Sequence, residues 1–147
     1  MPDIHKYEVN LEWKEARKGL LRSPVLSHEI EVATPPEFPK GIAGIWSPEH
    51  LFVAAVNSCL MTSFLAIAEN SKFEFISFKS NAVGIVAMLD GKFQVTEITI
   101  KPLITIAVSM HAEKAIRILE MSEKACFIAS SVKTIIHLVP EIIVEVN

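Results

Sequence analysis

The sequence has little cysteine and no excess of positive charge. Its two cysteines, Cys59 and Cys126, stand 67 residues apart, which excludes a disulfide-stapled secreted fold, a Cys-x-x-Cys redox motif and a zinc knuckle. The net charge of −3 gives no reason to expect nucleic acid or an anionic membrane as a partner. The five histidines show no paired ligand spacing, so we expect no metal site, and no motif requires a cofactor.

Apolar residues, in contrast, are abundant for so short a chain. Half of the 147 residues are hydrophobic and the mean hydropathy is +0.37, which excludes a disordered tail and a low-complexity polymer. The length predicts a single domain over residues 1–147. The first residues have neither the basic start nor the apolar run of a secretory signal, so we expect a cytoplasmic protein with reduced thiols.

Residues 51–68 are the one candidate for a membrane span, because these 18 residues carry no charge. Four polar residues lie inside the run, and acidic rather than basic residues flank it. We therefore expect the buried helix of a soluble domain and no membrane contact.

Periodicity and turn residues predict an α+β fold. Alternation of apolar and polar residues predicts strands at residues 7–13 and 30–32, with a polar turn at 14–19. Three prolines predict a loop at residues 34–41.

A long helix and a long hairpin follow. Ser47 as N-cap and Pro48 at the first helical position predict a helix over residues 48–70. The pair Asp90-Gly91 predicts a hairpin turn between strands at residues 73–89 and 92–109. Two residues inside these strands are expected at bulges or breaks: Gly84 and Pro102.

The last third is predicted to hold two helices and a strand. Helical spacing covers residues 111–121, and Ser122 has the character of a second N-cap that opens a short helix carrying Cys126. Residues 135–146 are β-branched and predict a strand, with Pro140 at an edge or bulge.

The segments around the two cysteines contain the motifs that point to a family. The first is WSPEHLF at residues 46–52, followed by Asn57-Ser58-Cys59, and the second is EKACFIASSVK at residues 123–133. Both segments, and the order of elements over essentially the whole chain, resemble the OsmC/Ohr proteins, the osmotically induced and organic hydroperoxide resistance family. The sequence departs from many of the family's peroxidases at Phe127, where they have proline after the second cysteine, and in this it resembles the OsmC-like branch.

The resemblance implies a fold and an activity. The fold is α+β, with antiparallel sheets wrapped around long central helices in an intertwined homodimer. The activity is a thiol-dependent peroxidase that reduces organic hydroperoxides and is recycled by a lipoyl- or thioredoxin-like dithiol. The alternative is a non-catalytic small-molecule-binding or redox-responsive stress protein of the same fold.

The resemblance also implies the site residues. Cys59 is the peroxidatic thiol and Cys126 the resolving thiol. Glu49 matches the glutamate of the Pro-Glu motif, and Arg17 matches the N-terminal arginine, with Arg22 as the second choice.

Elementary chemistry gives these residues roles. The thiolate is the nucleophile, and burial in an apolar helix disfavours that charged form, so a guanidinium held by Glu49 would restore it. Glu49 and Cys59 are ten residues apart, about 15 Å along a helix, so a long arginine or a second subunit must complete the site. We therefore expect the site at a dimer interface.

The expected substrate pocket is apolar, which favours organic hydroperoxides over hydrogen peroxide because apolar walls reward a hydrocarbon tail. Each of its residues would serve equally well as core packing. They are Phe52, Val56, Ile42, Ile45 and Trp46.

Overall fold

The computed structural model describes residues 3–145, which form two compact units divided at Leu51. The N-terminal unit is a three-stranded antiparallel sheet in the order β1 (Asn10–Glu15), β2 (Lys18–Ser23) and β3 (Leu26–Ala33). The predicted strands correspond to β1 and β3. The predicted turn at 14–19 is confirmed only at its centre, and β2 was missed because its two leucines stand side by side instead of alternating with polar residues.

The helix α1 (Pro48–Asn70) has the predicted bounds. Ser47 is its cap, since the Ser47 hydroxyl accepts from the His50 N–H at 3.1 Å. Its length and composition would allow it to cross a membrane, which is weak evidence because core helices pass the same test. One face is buried at every fourth residue. The expectation of burial on all sides is not met, because Met61 and Leu65 are 38% and 41% exposed.

The second unit is built on the long hairpin of β4 (Ser77–Leu89) and β5 (Lys92–Ile106). Asp90 and Gly91 form its turn with φ values of +51° and +78°, as the sequence predicted. The register shifts between Ile85 and Val86, beside the predicted bulge at Gly84.

Two short strands complete this sheet, and both run parallel to β5. They are β6 (Ile135–Leu138), paired with Glu97–Ile100, and β7 (Glu141–Val144), paired with Leu103–Ile106. The sheet is therefore mixed, and not purely antiparallel as expected. Pro140 lies between β6 and β7 and divides the strand that the sequence predicted. Pro102 lies in β5 between the residues that pair with β6 and those that pair with β7, so its missing N–H costs no hydrogen bond to either strand. Position 146, the end of the predicted strand, lies outside the described residues.

The two remaining helices are present as predicted, but the boundary between them lies further along the chain. A 3-10 turn at Ser109–His111 leads into α2 (Ala112–Ala125), and α3 (Phe127–Ser130) follows after Cys126. Ser122 was predicted as an N-cap and this is wrong. It lies inside α2, fully buried, and its hydroxyl donates to the Ile118 carbonyl at 2.6 Å.

The apolar core of the second unit lies between α1, β5 and α2. Two clusters form it, and the buried face of α1 contributes to both. One contains Val56, Leu60, Ile98 and Ile100, and the other contains Phe64, Ala68, Phe73, Ile104, Ile106, Ala115, Ile118 and Leu119. This packing fixes α1, and with it the position of Cys59.

Candidate active site

Cys59 lies in the middle of α1 and is half-buried. Two residues before it, the Asn57 side-chain amide donates to the Ser80 carbonyl at 3.1 Å and its oxygen accepts from the Ser80 hydroxyl. These bonds tie the helix to β4 beside the apolar cluster that holds Val56 and Leu60. Cys59 is therefore held on a rigid element, as a reactive group requires.

Cys126 occupies the junction of two helices. It ends α2 and caps α3, where its sulfur accepts from the Ala129 N–H at 3.4 Å. The residue is 1% exposed. The sequence placed Cys126 inside a short helix, and the structure makes it the cap of that helix.

The structure brings the two thiols together. The two thiols lie close enough for each to shift the pKa of the other, and Ser63 and the backbone N–H groups of Phe127 and Ile128 lie near the Cys59 sulfur. Both cysteines are free thiols. Ser63 and the two amides were missed by sequence reasoning. The four-residue spacing of Cys59 and Ser63, which places both on one helix face, is the signal that could have found the serine.

The environments of the two thiols separate their acidities. Burial raises the pKa of Cys59, but the hydrogen bonds from Cys126, Ile128, Phe127 and Ser63 outweigh it, so the net pKa lies below the ordinary value of a thiol. Burial raises the pKa of Cys126, and the interaction of this thiol with Cys59 raises it further, to about 11. Cys59 is thus the more acidic and Cys126 the less acidic thiol of the pair.

A groove of about 370 Å³ in the same unit is lined by Phe52, by Gln94 and Val95 of β5, and by residues 131–134. Phe52 precedes Cys59 by seven residues, which places it on the same side of α1 about two turns away. Val56, also expected in the pocket, is fully buried in the core and serves packing in this structure.

The candidate arginines belong to the N-terminal unit. Arg17 is exposed in the turn between β1 and β2, where its carbonyl accepts from the Thr34 N–H at 3.3 Å, and it lines an open groove of about 300 Å³. It makes none of the ion pairs found among residues 3–145. Arg22 is occupied, with Glu12 at 3.2 Å and Glu29 at 2.9 Å.

Glu49 lies in the first turn of α1. Its Oε1 atom is buried and has no hydrogen-bond partner among the described residues. A buried carboxyl oxygen is costly without a donor, so this atom is a candidate to accept from a cation or an N–H group. The other expected pocket residues, Ile42, Ile45 and Trp46, lie in the loop before the helix, and Trp46 packs edge-on against His50.

Comparison with known proteins decides the family. The family model described as OsmC-like protein matches residues 41–141. The chain belongs to this family. No curated protein sequence matches the chain.

Solved structures of OsmC proteins share its α+β fold. An OsmC-like protein of unknown function from Vibrio cholerae is 27% identical, with a TM-score of 0.81 over 95% of this chain and 100% of that one. An OsmC-like protein from Mycoplasma pneumoniae is 16% identical, with a TM-score of 0.79 over 95% and 98%. An organic hydroperoxide resistance protein from Elizabethkingia anophelis is 17% identical, with a TM-score of 0.76 over 99% and 100%. The expected OsmC-like fold is thereby confirmed.

Proposed function

We propose that this OsmC-family chain is a thiol-dependent peroxidase that reduces organic hydroperoxides, with Cys59 as nucleophile and Cys126 as resolving thiol. The observation that carries the proposal is that the two thiols lie close enough to shift each other's pKa, which is lowered at Cys59 and raised at Cys126. A low-pKa thiol next to a second, protonated cysteine is the arrangement of a redox-active pair. The similarity to proteins named for organic hydroperoxide resistance supports the same reading.

The reaction proceeds in two steps. The Cys59 thiolate attacks the terminal oxygen of R–O–O–H and the O–O bond breaks; the alkoxide takes a proton and leaves as ROH, and Cys59 becomes a sulfenic acid. The Cys126 sulfur then attacks the sulfenic sulfur, water leaves, and a disulfide forms. A cellular dithiol, lipoyl- or thioredoxin-like, returns both cysteines to the thiol state by exchange.

The roles of Arg17 and Glu49 remain part of the proposal. Among residues 3–145 the Arg17 guanidinium makes no ion pair and the buried Glu49 Oε1 has no hydrogen-bond partner, so the two side chains are complementary in charge. A bidentate Arg–Glu pair would leave further guanidinium N–H groups for the thiolate. We propose this arrangement in a homodimer, with the arginine supplied by the same chain or by its partner.

The substrate class follows from the apolar groove. Phe52, Val95 and Val132 line it, and apolar walls stabilise a hydrocarbon tail more than they stabilise hydrogen peroxide. We propose a cytoplasmic location, where thiols are kept reduced between turnovers.

A peroxide-consumption assay with cumene hydroperoxide and a dithiol tests the proposal. Cys59→Ser should lose all turnover. Cys126→Ser should still release one equivalent of alcohol, because the nucleophile remains. Ser58→Ala, which removes an exposed hydroxyl bonded only to its own helix, should match the unmodified protein. Equal rates in Cys59→Ser and Ser58→Ala would reject the peroxidase, and a co-purifying apolar ligand without turnover would favour the binding-module alternative.

A further inference from the structure

The groove of about 370 Å³ in the second unit has polar side chains as well as its apolar wall. Three of these side chains already donate to backbone carbonyls of the same unit. The bonds run from Gln94 to Leu89 at 2.9 Å, from Ser131 to Phe127 at 2.7 Å and from Thr134 to Val95 at 2.8 Å. These donors therefore have acceptors within the chain, and they serve to hold the walls of the groove in place.

Lys133 is the remaining polar side chain of the groove, and it differs from the other three. Among residues 3–145 its ammonium group makes no ion pair, and the residue is exposed. No acidic residue is among those that line the groove. Because a lysine side chain is positively charged at neutral pH, the groove combines an apolar wall with one unbalanced positive charge.

This combination defines the chemistry of a fitting ligand. The apolar wall, with Phe52, Val95 and Val132, stabilises a hydrocarbon chain that leaves water. The ammonium group attracts a negative charge and balances one such charge. A phosphate monoester carries about −1.5 to −2 charges at neutral pH, which a single lysine leaves partly unbalanced. A carboxylate on a hydrocarbon chain matches both the wall and the charge.

The groove borders the segments that carry both cysteines. Phe52 precedes Cys59 by seven residues on α1, about 10 Å along the helix axis. Ser131 ends α3, the helix that Cys126 caps. The distance along α1 is shorter than a fatty-acid chain, so a ligand held in this groove is long enough to reach the thiols.

We propose that Lys133 is a specificity-determining residue that binds the carboxylate of a fatty-acid-like ligand, whose hydrocarbon chain lies against Phe52 and Val132. The hydroperoxides that the protein reduces are then acidic ones, and this second statement rests on the proposed function of the chain as a peroxidase. An apolar wall alone would not distinguish an acid from its uncharged amide or ester. The positive charge of Lys133 makes that distinction.

Isothermal titration calorimetry of the reduced full-length protein tests the binding, with octanoate and octanamide as probes. The two probes have the same chain length, and only octanoate is charged. Octanoate should bind more tightly, and Lys133→Gln should weaken it about threefold or more without changing octanamide. Raising the salt concentration should weaken octanoate alone.

Two further variants separate the charge from the wall. Lys101→Gln removes another exposed lysine without an ion pair, which lies in β5 and outside the groove, so the preference for octanoate should persist. Val132→Thr replaces a methyl group of the wall by a hydroxyl and should weaken both probes to the same degree.

Steady-state kinetics connect the groove to turnover. The substrates are the hydroperoxide of linoleic acid and the methyl ester of the same hydroperoxide. Lys133→Gln should raise KM for the acid and leave kcat unchanged, because the carboxylate lies away from the reacting oxygens and its binding energy is the same in the ground and transition states. The ester should give the same KM with both proteins.

The carboxylate site and the peroxidase fail in different ways. Equal affinities for octanoate and octanamide, or an unchanged preference in Lys133→Gln, would overturn the role of Lys133 even if peroxide turnover is high. A preference that depends on Lys133, without turnover of any hydroperoxide, would uphold the site and reject the peroxidase. If a second copy of the chain covers the groove, neither probe binds and Lys133→Glu changes the mass seen by light scattering, which would also overturn the proposal.

Discussion

At the scale of single residues, the two cysteines show how one residue type acquires two chemical roles. Both are partly or fully buried, and burial alone would make both unreactive. The difference lies in their neighbours, because the donor groups near Cys59 lower its pKa, whereas burial and the nearby Cys59 raise the pKa of Cys126. The pair therefore has one more acidic and one less acidic thiol, which suits a nucleophile and a resolving thiol.

Arg17 and Arg22 are the residues at which the proposed mechanism is most easily tested. Arg17→Ala should lower the second-order rate with cumene hydroperoxide at least tenfold, because a guanidinium beside a thiolate or peroxide contributes about 1.4 kcal/mol or more. Stopped-flow measurement of the first turnover gives this rate.

Arg22→Ala is the control, because Arg22 is already paired with Glu12 and Glu29 at the surface. It should change the rate by less than about twofold. The assignment of Arg17 would be wrong if Arg22→Ala were the slower variant.

At the scale of elements, the sequence predicted correctly those features that depend on neighbouring residues, such as a helix cap and a hairpin turn. Ser47 and Pro48 fixed the start of α1, and Asp90-Gly91 fixed the hairpin, because caps and tight turns depend on neighbouring residues only. Ser122, like Ser47, is a residue type that is favoured as an N-cap. The helix α2 nevertheless continues through Ser122, because it packs on the apolar core. That Phe127 lies near Cys59 could not be predicted, because the two residues are 68 positions apart in the sequence.

The packing of α1 on β4 gives a prediction for stability. A Cβ at Gly84 would lie 2.5 Å from the Val53 Cγ2 atom, so glycine lets helix and strand approach. Gly84→Ala gains about 0.5–1 kcal/mol from strand propensity and chain entropy but loses about 1–3 kcal/mol to the clash. We expect a net loss in the free energy of unfolding, measured by urea titration.

A double-mutant cycle identifies the cause. In a Val53→Ala background the clashing methyl group is absent, and Gly84→Ala should become neutral or stabilising. The same loss in both backgrounds would show that Val53 is not the obstacle.

At the scale of the whole molecule, one chain leaves many of its large apolar residues exposed. Trp13 in β1 is 71% exposed, and Met61 and Leu65 leave one face of α1 uncovered. Large exposed apolar residues on both units are typical of an association surface. The family predicted an intertwined dimer, and these surfaces are what such a dimer would cover.

Light scattering after gel filtration tests the dimer. We expect twice the chain mass of 16.3 kDa at micromolar concentration, because the exposed apolar surface favours association. Leu65→Glu, on the exposed face of α1, should shift the protein towards the monomer, and Lys101→Glu, an exposed change outside that face, should not. A monodisperse monomer with full peroxidase activity would contradict the dimer and its role in the site.

The central claim, that Cys59 attacks the peroxide and Cys126 resolves it, is tested most directly by mapping the oxidised thiols. The reduced protein is treated with one equivalent of cumene hydroperoxide, digested with trypsin without reductant and analysed by mass spectrometry. We predict a disulfide joining the peptides of residues 41–72 and 125–133 within one chain, and in Cys126→Ser a sulfenic acid at Cys59 that dimedone traps. Sulfenic acid at Cys126 in Cys59→Ser, or peroxide consumed while both peptides remain reduced, would contradict the account.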